Sequence, residues 1–239
     1  MPLADRFGRT FRRLRISVTE ACNYRCVYCA PEEFSPAAAR KYLTFAEVER
    51  VAAVAVRLGM ARIRLTGGEP TLRPRLPDLV ARLAALPGIE DLGMTSNGER
   101  LGRLAEDLAA AGLMRINLSL DSLDPERFRR VTQGGDLKRV LAALDRCLAA
   151  RLKVKVNAVI LPDLTDADIL ALVALSRERS VEVRFLEYMP LCGSAWNPKQ
   201  MVPAERVLSC LRVQHDLTPL PRTQQPPQAT QPIPPIPPE

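Results

Sequence analysis

A single histidine, His215, serves all 239 residues. Nowhere do the ~18 consecutive apolar residues of a membrane span occur, so no membrane partner is expected. The N-terminus MPLADRFGRTFRRLR lacks the apolar core of a secretory signal, which predicts a cytoplasmic protein. Disulfides are rare in that compartment, so the six cysteines point to metal or redox chemistry. Dense Lys/Arg runs with interleaved aromatics are also missing. The net charge of +7 is spread along an arginine-rich chain. Nucleic acid is therefore not an expected partner, whereas a small anionic ligand is compatible with the charge.

What is present is the composition of a soluble globular protein, 47% hydrophobic and 26% charged. Residues 1–215 are expected to form one domain. From Pro219 onward there are nine prolines in 21 residues and no hydrophobic periodicity. Residues 216–239 are accordingly expected to be a disordered, proline-rich tail.

Alternation of period two predicts strands at Leu14–Thr19, Ala61–Thr66, Asp91–Thr95, Arg115–Ser119, Lys153–Val159 and Val181–Glu187. Between them, helices are expected near Thr44–Leu58, Leu76–Leu86, Leu101–Ala111, Leu137–Ala150 and Asp166–Arg179. Thr44 with Glu47 forms a capping box, Asp166 is read as the cap of the last helix, and Gly59, Gly88 and Gly112 follow helix ends. Such alternation argues for parallel strands with helical crossovers.

The strand faces carry more. Leu14, Ile16, Ile63, Leu65, Ile116, Leu118, Val154 and Val156 share the parity of the core. Arg15, Arg64, Thr95, Asn117, Ser119, Lys155 and Asn157 take the other. A flat sheet covered by helices on both faces would be apolar on both. One polar face fits a sheet curled into a barrel with helices outside. The fold class expected is therefore α/β, a partial (β/α)6 TIM-like barrel with a polar lumen.

Directly after the first strand stands Cys22-Asn-Tyr-Arg-Cys26-Val-Tyr-Cys29. Thiolates are the usual ligands of iron–sulfur clusters. A structural zinc site needs four ligands, and neither a fourth cysteine nor a histidine lies nearby. Three ligands leave one iron of a four-iron cluster open. The second motif, Thr66-Gly67-Gly68-Glu69-Pro70, ends the second strand, where barrel folds place their sites. Its paired glycines allow close backbone approach.

The C-x3-C-x2-C spacing, with an aromatic before the last cysteine, resembles the signature of the radical S-adenosylmethionine (SAM) superfamily. The resemblance implies a [4Fe-4S] cluster on Cys22, Cys26 and Cys29. Its open iron would chelate SAM, and reductive cleavage would yield a 5′-deoxyadenosyl radical. It also implies Tyr28 near the adenine and Gly68 at the amino end of SAM. IRLTGGEPTLRP, MTSNG, INLSLDSLD, VKVNAVI and VRFLEYMP follow in order. Together they resemble the GTP 3′,8-cyclase family of molybdenum cofactor biosynthesis, over roughly residues 12–205. Those enzymes are lyases that convert GTP to (8S)-3′,8-cyclo-7,8-dihydroguanosine 5′-triphosphate. By that resemblance Ser119 and Met189 contact SAM, and Arg15, Arg64, Thr95 and Lys155 contact GTP. Expected partners are GTP, an electron donor such as flavodoxin or ferredoxin, and the next enzyme of the molybdopterin pathway, with a homodimer as the assembly.

One departure stands out. The family continues into a further three-cysteine segment that binds a second cluster, whereas here Cys192 and Cys210 are isolated and Cys147 reads as helix packing. Only one cluster is expected in this chain. Three readings stay open: a GTP 3′,8-cyclase or a truncated form of one, a single-cluster radical SAM enzyme acting on another substrate, and an inactive remnant whose proline-rich end binds partners.

Overall fold

A computed structural model describes residues 3–29, 42–189 and 197–219. Cys192 and nearly all of the proline-rich tail lie outside the described residues. The strands are β1 (Arg13–Ser17), β2 (Arg62–Thr66), β3 (Asp91–Ser96), β4 (Arg115–Ser119), β5 (Lys153–Ile160) and β6 (Glu182–Glu187). The helices are α1 (Phe45–Arg57), α2 (Leu76–Ala84), α3 (Ala105–Ala110), α4 (Pro125–Thr132), α5 (Leu137–Ala149), α6 (Asp166–Glu178) and α7 (Ala204–Arg212).

All six strands are parallel and pair in chain order, β1 to β6. Successive crossovers of one hand put the helices on one side of such a sheet. The core confirms it: Ile63, Leu65, Leu92, Met94, Ile116, Leu118 and Val156 pack with Leu79, Leu83, Leu108, Val140 and Leu144 of the helices. The opposite face is free to curve round a lumen, which gives the partial barrel expected from the parity of the strands.

Local chemistry explains the element ends. The Thr44 side chain caps α1 and Glu47 bonds back to the Thr44 amide, as the capping box requires. At α6 the cap is Thr165, answered by Asp168, and Asp166 is already the first helical residue. The helix expected over Leu101–Ala111 is split into a 3-10 turn, Leu101–Arg103, and the short α3. Two helices were not legible in the hydrophobic pattern. In α4, PERFRRVT, only Phe128 and Val131 supply an apolar stripe, yet Asp124 caps it and Pro125 opens it. In α7, Val207, Cys210 and Leu211 close a small cluster with Ile160 and Ile169.

Candidate functional site

The register stacks the polar residues of the lumen face into tiers. Arg15, Arg64, Gly93, Arg115 and Lys153 form one row across β1–β5. Thr95, Asn117, Lys155 and Glu182 form the next, and Ser119, Asn157 and Arg184 the one above. Each tier is about 6–7 Å higher, since a strand rises ~3.3 Å per residue.

The first of these rows is a cation cluster. Arg64 is only 8% exposed, and its guanidinium lies across the gap left by Gly93. A Cβ on Gly93 would stand 2.9 Å from Arg64 Nη1 and 2.6 Å from Arg115 Cγ. Burial lowers the pKa of Arg64, Asp91 raises it, and the charges of Arg115, Arg13 and Arg15 lower it further. The counter-charge, Asp91, is ion-paired to Arg115 at 2.6 Å. Arg64 Nη1 therefore has no partner.

The tiers above are also left open. Thr95 Oγ1, Asn117 Oδ1 and Asn157 Oδ1 are buried without a hydrogen bond. An unpaired buried polar group costs ~1–3 kcal/mol, and native structures keep few of them. Four such atoms lie on one face of the sheet. Lys155 differs: it is held 2.6 Å from Glu182, which also pairs with Arg184.

The rim at the C-terminal strand ends is built differently. The Gly67 and Gly68 backbone lies directly under residues 19–21. A Cβ on Gly67 would sit 2.2 Å from the Thr19 carbonyl oxygen, and one on Gly68 2.3 Å from that of Ala21. The Gly68 amide donates to Thr19 and the Glu69 amide to Ala21, at 2.7 and 2.8 Å. The glycines thus serve the approach of two stretches of this chain's own backbone. Glu69 is 1% exposed and accepts four bonds, from the Thr71 amide and hydroxyl, the Ser96 hydroxyl and the Asn97 amide. It ties the ends of β2 and β3 together. No role was read for it in the sequence; its signal was the carboxylate fixed after a Gly-Gly turn.

On this clasp sits the cysteine loop. Burial is the leading cause that raises the thiol pKa of Cys22, Cys26 and Cys29. Cys29 adds to the same direction at Cys22, and Cys29 and Cys22 add to it at Cys26, with Glu69 and Asp121 doing so at Cys22 and Cys26 respectively. No three potential ligands among the described residues converge on one metal ion. A cluster asks for three thiols in one loop rather than three ligands on one point, since each binds its own iron. Iron would also remove the proton that burial holds on each thiol. Cys147 is fully buried in the core and Cys210 packs in the cluster under α7, so neither joins the loop.

Tyr28 donates its hydroxyl to Asp121 Oδ2 at 2.8 Å, while Asp121 Oδ1 accepts from the Val159 amide at 2.8 Å. Its ring meets Tyr188 edge-on, at 6.5 Å between centroids. Asp121, buried at the end of β4, was missed as the anchor of this tyrosine. Ser119 is half-buried on the lumen side, and Met189 follows Tyr188 with 64% of its surface exposed. The structure thus gathers Cys22, Cys26, Cys29, Tyr28 and Gly68 at the rim. It sets Arg15, Arg64 and Thr95 in the tiers below, and commits Lys155 to another partner.

The Radical SAM superfamily profile matches residues 16–175. A Pseudomonas entomophila protein named GTP 3′,8-cyclase is 47% identical over 190 residues, covering 79% of this chain and 57% of that one. The Drosophila melanogaster protein named molybdenum cofactor biosynthesis protein 1 is 42% identical over 212 residues, covering 88% and 38%. The chain thus spans little more than half of the first relative and under half of the second. Among solved structures, Streptococcus suis SuiB superposes with a TM-score of 0.70 at 20% identity, covering 85% of this chain and 45% of that one. Likeness at that identity speaks for the fold alone.

Proposed function

The chain belongs to the radical SAM superfamily, and we propose that it supplies the radical-generating barrel of a GTP 3′,8-cyclase. The observation that carries the substrate class is the unpaired Arg64 guanidinium in a row of cations below three unpaired polar atoms. A triphosphate needs such a row, and Arg binds phosphate through a rigid fork of donors. The names of the relatives support the same reading.

Cys22, Cys26 and Cys29 would hold a [4Fe-4S] cluster, which, when bound, supplies the electron for reductive cleavage of SAM. The residues around it position and shield. The Gly68 amide is already donated to Thr19, so its carbonyl is the group offered to the ammonium of SAM. Tyr28, fixed by Asp121, presents a ring of set orientation to the adenine. Ser119 and Met189 complete that side. Arg15 and Arg64 take the phosphates, and Thr95 donates a hydroxyl. Lys155 joins only by leaving Glu182; a half-exposed ion pair of this kind is worth ~0–1 kcal/mol, so the exchange costs little. Holding SAM at the rim and the nucleotide in the lumen sets the two in line, which is the protein's share of such a reaction.

Among the described residues no helix is long and apolar enough to cross a membrane. The proposal includes a cytoplasmic setting, a flavodoxin- or ferredoxin-type reductant, product transfer to the next enzyme of the molybdopterin pathway, and a homodimer. The test is anaerobic reconstitution with iron and sulfide, then incubation with dithionite, SAM and GTP. Chromatography follows 5′-deoxyadenosine and cyclised nucleotide. Release of 5′-deoxyadenosine that responds to GTP is the expected result. Failure to cleave SAM would overturn the proposal.

A further inference from the structure

We propose that a cleft on the outer side of the cysteine loop is the docking site of an acidic one-electron donor protein. This rests on the reading that Cys22, Cys26 and Cys29 hold a redox cluster. The cleft has a volume of about 590 Å³ and is lined by Asn23 and Tyr24 of the loop and by Arg100, Arg103, Gly134 and Arg139. Asn23 and Tyr24 stand between Cys22 and Cys26 in the chain. The Tyr24 amide donates to Cys22 Sγ at 3.4 Å. A group seated in the cleft is thus one residue layer from the cluster ligands.

The loop has a second side. Tyr28 leads through its hydroxyl to Asp121 and β5, beside the lumen. Substrate and SAM occupy that side, so an electron arrives from the other. The transfer is simple in balance: the donor is oxidised by one electron, the cluster accepts it, and no atom or proton crosses the interface.

The charges of the cleft select the partner. Arg100 and Arg103 are exposed, and the side chain of neither makes a hydrogen bond or ion pair with another described residue. Arg25 adds a third positive charge at the loop, its guanidinium on the Cys22 and Tyr24 carbonyls. The one lining carboxylate, Glu99, is already used. It accepts from the Tyr24 hydroxyl at 2.8 Å, from Arg139 at 3.0 Å and from the Asp136 amide at 3.2 Å. Glu106 and Asp107, at the start of α3, do not line the cleft. Unpaired rim charges contribute mainly to encounter rate and orientation, which suits a donor that must dock, deliver and leave. A carboxylate-rich redox protein is complementary to this surface.

The test is the double variant Arg100→Glu with Arg103→Glu in the full 239-residue chain, reconstituted with iron and sulfide. SAM cleavage is driven in parallel by dithionite and by an acidic flavodoxin kept reduced by its reductase. Titration calorimetry with the oxidised flavodoxin, at low and high salt, measures binding directly. The expected result is unchanged dithionite-driven cleavage. The flavodoxin concentration giving half-maximal rate should rise about ten-fold or more, and wild-type binding should weaken with salt. The same flavodoxin dependence in variant and wild type, or an equal loss with dithionite, would overturn the proposal. Wild-type protein that fails with dithionite would count against the cluster reading instead, and the binding arm then decides the docking face by itself.

Discussion

The rim and the lumen of this barrel are both polar, yet they treat their polar groups in opposite ways. At the rim, Glu69 has four donors, Asp121 has two, and the glycine turn is bonded amide to carbonyl with the loop above it. In the lumen, Arg64, Thr95, Asn117 and Asn157 each keep a buried atom without a partner. Satisfied networks rigidify, and unsatisfied ones wait for a ligand. On the proposed reading, the rim is finished by folding and the lumen by binding. Damage to the two regions should therefore read out differently.

The largest effect is expected at the loop that the rim supports. Cys26→Ala should reduce the iron content of reconstituted protein from about four per chain to background and abolish SAM cleavage, by iron assay and chromatography. A full cluster in that variant would remove the basis for treating the rim as a cofactor scaffold.

Next comes the rim's own anchor. Glu69→Ala leaves the Ser96 and Thr71 hydroxyls and the Thr71 and Asn97 amides without their acceptor. It should lower the unfolding free energy of the cluster-free protein by ~3 kcal/mol, measured by urea denaturation. A loss under about 1 kcal/mol, the worth of one ordinary hydrogen bond, would erase the contrast with the lumen.

In the lumen the direction reverses. Arg64→Ala should weaken GTP binding by about ten- to a hundred-fold, the worth of one or two charge-assisted contacts, in a calorimetric titration. Thr95→Val keeps the shape and removes one orphan hydroxyl. Its cost in GTP affinity should be only about three- to ten-fold, with stability level or slightly raised, since an unsatisfied group is removed.

The same contrast governs how much could be read without a structure. Strand parity was legible because a parallel strand with one covered face repeats with period two, as in Lys153–Ile160, where buried residues alternate with exposed or half-buried ones. The cysteine loop was legible because its three cysteines are adjacent in sequence. Pairings across the sheet were not. Glu182 claims Lys155 from a neighbouring strand, Gly93 makes room for Arg64 from another, and Asp121 fixes Tyr28 across 93 positions. Nothing local announces such contacts. Helix α4 escaped for a different reason: its sequence is mostly charged, and its cap rather than its stripe defines it.

The most direct test of the contrast is one thermal-unfolding experiment on cluster-free wild type and Arg64→Ala, each with and without GTP. A ligand that binds only the folded state adds stability as RT ln(1 + [L]/Kd). The account predicts that the variant unfolds no earlier than wild type when GTP is absent, and that the same GTP concentration raises the midpoint of wild type clearly more than that of the variant. A variant that unfolds several degrees earlier yet keeps the full GTP shift would show that Arg64 holds the barrel together and that the lumen is scaffold, like the rim.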